Sequence, residues 1–238
     1  VSRPTSVLKL HLAKRGYVFG IPASILGLVI VITILITIAM SRFAAGVGGQ
    51  ELEYAQSAQQ NPGVLFSLPG FLVYLGVQAV STTFPYGMSL GTTRRSYSLG
   101  TALYFAFQSV YLGLLAMALY GVELATNHWF FGAPTFDVTA LGGGNVFAVG
   151  ATVFTVTFLS LSIGGLFGGL YVKAGSRGPL IFGLALALTV VILVVILAPH
   201  VLTIAAALTR WSVLGIALAL AVAAVIGEYF ALRTATVR

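Results

Sequence analysis

An all-α, polytopic membrane protein with six transmembrane helices is the fold class this chain predicts, and three observations predict it. Only 7% of its 238 residues are charged and 58% are hydrophobic, whereas soluble domains carry about 25% charged residues. Several apolar stretches run for about eighteen residues or more, enough to cross the roughly 30 Å hydrocarbon layer as a helix. The cations, finally, gather at the two ends and in alternate connectors between these stretches, which puts nearly all of them on one side of the implied membrane. No polar segment is long enough to bury a core of its own, so residues 1–238 read as a single transmembrane domain.

Residues 1–16 carry Arg3, Lys9, Lys14 and Arg15 and no acid. At helical spacing His11, Lys14 and Arg15 share one face and Leu8 and Leu12 point roughly the other way. That pattern predicts a short interfacial helix; a basic leader that only sets topology is the alternative. The segment lacks the small-residue cleavage site of a signal peptide, and the apolar run behind it is too long for one. The spans follow at about 17–40, 69–90, 96–120, 146–171, 180–198 and 211–230. Pro22 is tolerated near the start of the first, and Pro85 kinks the last turn of the second. A polar connector over 41–67 holds Glu51, Glu53, Gln56, Gln59, Gln60 and an Asn-Pro-Gly turn. The connector over 121–145 is rich in aromatics and turn residues and holds Glu123, His128, Asp137 and a Gly-Gly-Gly-Asn run.

Orientation follows from the charges. Six spans place Arg3, Lys9, Lys14, Arg15, Arg94, Arg95, Lys173, Arg177, Arg233 and Arg238 on one side and only Arg42 and Arg210 on the other. The cation-rich side is the cytoplasm, so both termini are cytoplasmic. The net charge of +7 is then topology and asks for no nucleic-acid partner. Arginine outnumbers lysine, and Ala, Val and Gly abound, as in the proteins of a GC-rich bacterium; a multi-pass protein of a bacterial plasma membrane, in contact with its lipids, is the expectation.

Catalytic chemistry is not legible. The three histidines fall in separate segments, there is no HExxH, and no GxxxxGK[ST] loop could hold a nucleotide triphosphate. With no cysteine either, no metal site and no cofactor is expected. No acidic pair lies within a span, against an aspartyl protease or a carboxylate relay.

What remains is polar detail and packing. Ser160, Gly164 and Gly168 recur every fourth residue, with Gly165 and Gly169 in the next row; such spacing lets helices approach closely, inside the chain or across a dimer seam. Gln78 and Gln108 each lie fifteen residues from Thr93, so a hairpin brings them to equal depth, where they bond each other or face a polar pathway. Glu228, one turn from the cytoplasmic interface, is expected to pair with Lys173, Arg177 or Arg95. Glu123 closes the third span at the end where the helix dipole disfavours an anion, so it is solvated or held by a specific partner. The two adjacent arginines are equally out of place. If Thr92 or Thr93 caps the third span, Arg94 and Arg95 fall in its first turn, where the dipole disfavours cations.

The stretch Phe84–Thr101, FPYGMSLGTTRRSYSLGT, followed by GVELATNHWF, is similar to the small ABC-2 type transporter permeases of actinobacteria. That close match covers Phe84–Phe130; beyond it the agreement is one of layout, a basic leader, six spans and both ends inside. The resemblance implies a non-catalytic permease subunit of an ATP-driven exporter, working with a second permease chain, identical or related, and with separate ATP-binding subunits. It further implies that the turn Gly91, Thr92, Thr93, Arg94, Arg95, Ser96 docks on the ATPase, with the two arginines as contacts, and that short re-entrant helices lie between the last two spans, where Pro199–Arg210 would fit. It transfers no substrate site. A membrane scaffold that binds partner subunits and transports nothing is the alternative.

Overall fold

The computed structural model describes residues 4–47 and 63–235, and among them it holds helices and no strand. Arg3, Arg238 and the polar stretch with Glu51, Glu53, Gln56, Gln59, Gln60 and Asn61 lie outside the described residues. Six helices are long and apolar enough to cross a membrane: span one is Gly16–Phe43, span two Gly63–Ser89, span three Arg94–Ala125, span four Val146–Ala174, span five Arg177–His200 and span six Arg210–Arg233. The chain is thus an all-α, multi-pass membrane protein.

Proline chemistry shapes the entry to span one and a break late in span two. Span one opens with a π-turn over Gly16–Gly20 before the helix Ile21–Val47. Pro22 has no N–H to offer the carbonyl of Val18 four residues back, and the side-chain amide of Gln108 donates to that carbonyl instead, at 2.8 Å. In span two the helix stops at Ser81 and restarts at Thr83. The break lies four residues before Pro85, where the ring crowds the carbonyl at i−4, so the kink precedes the proline instead of following it. The Thr83 and Tyr97 hydroxyls both donate to the carbonyl of Ala79, two residues before the end of the first segment.

Ahead of the spans, Pro4–Leu12 is helical, as the leader pattern predicts, but its faces are used differently. His11 is buried instead of solvated: it stacks on Tyr104 at 4.9 Å and bonds the Thr101 hydroxyl at 3.2 Å. Gly100 makes room for this helix, since a Cβ there would lie 2.5 Å from Val7 and 2.6 Å from the Pro4 carbonyl. Burial pulls the His11 imidazole down from 6.5 to about 4, so it is neutral at physiological pH. The connector after span five forms a short helix, Val201–Ala207, and Thr209 caps span six by accepting the Ser212 N–H.

Contacts divide the chain into two compact units. One comprises Val1–His11, Val73–Phe105 and Leu159–Arg238, the other Leu12–Leu72 and Ala106–Phe158. The first carries the leader helix, the arginine turn and the end of span six; the second carries the connector after span three.

Candidate functional site

In the first unit the turn between spans two and three is built by three residues with separate jobs. Gly91 stops span two. Its φ of +77° is left-handed, and the Thr92 N–H reaches the Gly87 carbonyl while the Gly91 N–H reaches that of Met88. That is the Schellman closure, which glycine adopts without steric cost. Thr93 starts span three, its hydroxyl accepting the Ser96 N–H at 3.2 Å. Arg94 then leaves its own helix altogether. One guanidinium nitrogen donates to the carbonyls of Leu232 and Arg233 at 2.6 and 3.1 Å. A cation disfavoured at one helix N-terminus thereby sits on the C-terminus of another, where the dipole and the orphan carbonyls welcome it. Tyr97 pins the turn from below, fully buried, its hydroxyl on the Ala79 carbonyl at 2.8 Å and its ring edge-on to Phe84.

The adjacent arginine behaves otherwise. Arg95 is exposed, and its side chain borders a groove between spans three and six. The tip itself, Gly91 and Thr93, is exposed, with Thr92 and Ser96 half-buried.

Deeper in the same unit the small-residue rows of span four serve two neighbours. Gly164 and Gly168 face span two: a Cβ on Gly164 would stand 2.1 Å from the Val73 carbonyl, and one on Gly168 2.8 Å from that of Val77. Gly76 returns the contact, since a Cβ there would stand 3.0 Å from the Cα of Gly164. Ser160, one turn earlier in that row, is buried. Here the row packs within the chain, and carbon–oxygen contact at such range needs glycine. Gly165 and Gly169 face span six instead: Gly169 lies against Ala231 and the backbone and Cγ of Glu228, and Gly165 against the Glu228 carboxylate. Glu228 is fully buried and neither oxygen has a hydrogen-bond partner among the described residues. The expected pairing with Lys173, Arg177 or Arg95 is therefore not made. Span six continues to Arg233, placing Glu228 more than a turn from its end, and the side chain turns towards Gly165 and Phe105.

The second unit holds the opposite arrangement. Span three ends at Ala125, and Asn127, His128, Trp129 and Phe130 follow with φ between 51° and 65°. Four consecutive non-glycine residues in the left-handed region are costly; they reverse the chain so that residues 133–137 return over the helix end. There Glu123 accepts three backbone N–H groups, from Thr135 at 2.9 Å, Phe136 at 2.7 Å and Asp137 at 3.3 Å. Of the two expectations for Glu123, the specific partner holds, and the partner is the loop's own backbone. Asp137 forms a second knot: it accepts from the Tyr120 hydroxyl at 2.8 Å, from the Gly144 N–H at 3.0 Å and from His128 at 3.1 Å. Burial alone would raise the Asp137 carboxyl, but these donors outweigh it and hold the carboxyl below its ordinary value. Asn145 then caps span four through the N–H groups of Phe147 and Ala148.

Gln78 and Gln108 each have a partner of their own, the Tyr74 hydroxyl at 3.1 Å for Gln78 and the Val18 carbonyl for Gln108. Among the described residues no three His, Asp or Glu side chains converge as a metal site requires. The His128–Asp137 contact and the burial of His11 escaped the sequence reading. Only the turn-rich Gly-Gly-Gly-Asn run after Asp137 hinted that this connector folds back on itself. No family model matches this chain, and neither a curated protein nor a solved structure does.

Proposed function

We propose that this chain is the permease subunit of an ATP-driven exporter of the ABC-2 type in a bacterial plasma membrane, and that the turn Gly91–Ser96 receives a separate ATPase. One observation carries the reading: the exposed turn is strapped by Arg94 to the last carbonyls of span six. A push on the turn tip would act on span six directly, through charge-assisted bonds of about 1.5–3 kcal/mol each. In this reading Arg94 relays the movement and Gly91 and Thr93 present the docking surface. The resemblance of Phe84–Phe130 to such permeases supports the same assignment. In this reading hydrolysis belongs to another chain, in keeping with a sequence in which no GxxxxGK[ST] loop occurs. Span five, none of whose residues is buried, offers the surface a second permease chain needs.

That same bare helix favours the second reading, a scaffold that holds partner helices and moves nothing. Purification of the intact assembly in mild detergent separates the two. Native mass spectrometry should find two permease chains, identical or related, together with ATP-binding subunits whose hydrolysis responds to them. Partners without ATPase activity would support the scaffold, and a lone monomer competent in transport would contradict both.

A further inference from the structure

The groove beside Arg95 asks for an occupant. It measures about 420 Å³, within the range of roughly 300–1,000 Å³ usual for small-molecule sites. Arg95, Ser98, Leu99 and Ala102 descend one wall along span three, and Val225, Ile226 and Tyr229 face them from span six. Seven residues of helix separate Arg95 from Ala102, about 10 Å of depth at 1.5 Å per residue. The lining thus runs from a guanidinium at the end of the membrane helix to hydrocarbon further in. Leu103 and Val222, the next exposed apolar residues below, continue the strip.

The charge is equally one-sided. Arg94 is engaged with the end of span six, Arg95 has no hydrogen-bond or ion-pair partner among the described residues, and Glu228, the acid next to Tyr229 of the lining, is buried against Gly165 and Phe105. A guanidinium over an apolar cleft, on the side of the membrane that carries nearly all the cations, complements one chemistry: a phosphate monoanion that drags an acyl chain.

We infer that this groove binds an anionic phospholipid from the cation-rich leaflet, its headgroup phosphate on Arg95 and the start of one acyl chain between Leu99, Ala102 and Val225. The planar fork can take two phosphate oxygens at once, and the negative surface of that leaflet brings such lipids to the site. Tyr229, an amphipathic ring at the polar end, closes the headgroup side. The inference stands on the groove alone and does not depend on the transporter reading. It leaves the turn tip to the protein partner and gives the second arginine a separate ligand.

The test is native mass spectrometry of the purified chain, without partner subunits, titrated with phosphatidylglycerol or phosphatidylcholine. One saturable phosphatidylglycerol adduct per chain is expected, with phosphatidylcholine clearly weaker. Arg95→Ala should weaken it about tenfold or more, the loss of one charge-assisted bond, and Arg95→Lys by less. Ala102→Phe should fill the cleft and weaken both lipids. Should Ala102→Phe fail to fold, judged by gel filtration and circular dichroism, the Arg95 pair still decides. Inorganic phosphate should not displace the lipid; full displacement would mean a headgroup site without a chain and overturn the inference. Equal binding of the two lipids, or unchanged phosphatidylglycerol binding by Arg95→Ala, would overturn it too. So would an Arg95→Ala chain that keeps its lipid but no longer co-purifies with an ATP-binding subunit, which would assign this arginine to the protein partner.

Discussion

Glu123 and Glu228 invite comparison because they start from the same difficulty. Each lies in the C-terminal part of a long apolar helix, where the dipole opposes an anion, and each is fully buried. Their surroundings then diverge. The connector after span three is bent through a costly left-handed run and lays three N–H groups on Glu123. Around Glu228 the chain supplies glycines and a phenylalanine ring, and neither oxygen receives a hydrogen bond among the described residues. One carboxylate organises its region; the other is housed by it. The lesson is that a buried acid near a helix end says little until the backbone donors are counted.

Removing the organised group should therefore do the most damage. Glu123→Ala leaves two buried N–H groups, of Thr135 and Phe136, and the half-buried one of Asp137 without this acceptor; at about 1–3 kcal/mol for each buried group, a loss of at least about 2 kcal/mol is expected in thermal unfolding. Glu123→Gln, which keeps an acceptor, should cost less. A Glu123→Ala chain as stable as the parent would erase the contrast.

Acid extends the comparison to titrating groups outside the spans. His11 is held neutral by burial, with a value near 4 against 6.5 when exposed. The unfolded form binds its proton more readily, so the stability from its packing is complete above about pH 6.5 and fades as pH falls towards about 4. A nitroxide on Leu8→Cys, in a chain with no other cysteine, should become mobile in that interval. If its mobility stays flat there, the leader helix is not held through His11. Asp137 titrates lower. Its carboxyl is below the ordinary value, so its contribution is present above about pH 4 and is lost only as pH falls further. Trp129 fluorescence, read in a Trp211→Phe background, should report this loss as a change below about pH 4 that an Asp137→Asn chain lacks.

Glu228 should give the smallest effect. With no partner to orphan, Glu228→Gln is expected to move stability by less than about 1 kcal/mol, and Glu228→Met to be neutral or stabilising. A loss as large as that of Glu123→Ala would reveal a partner for Glu228 and close the gap between the two sites.

Much of the fold is legible in the residues. Apolar length and cation placement define the six spans, and the observed helices overrun the expected bounds mainly where polar ends continue the helix, as at Glu123–Ala125 and Ala231–Arg233. Within the turn, Gly91 and Thr93 are readable as stop and start signals. The destination of Arg94 is not, because it lies 138 residues away in sequence and no local pattern encodes so distant a carbonyl. The same holds for His11 on Thr101 and for Gln108 on Val18. Pro22 announces an orphan carbonyl, but only the packed chain says which side chain answers it. The burial of Glu228 is not legible, because a span ending at Phe230 sets the residue too near the interface and a glycine row says that helices approach without saying which helix comes.

In the proposed permease, Arg94 would transmit movement of the turn to the end of span six. The absence of native cysteine allows a direct measurement: label Thr234→Cys, exposed one residue past span six, in the assembled complex with and without ATP. ATP is predicted to change the labelling rate when Arg94 is present. In Arg94→Ala that dependence should vanish while the partner still binds and hydrolyses ATP, with Arg94→Lys between the two. An Arg94→Ala complex whose Thr234→Cys still responds to ATP as the parent does would contradict the account.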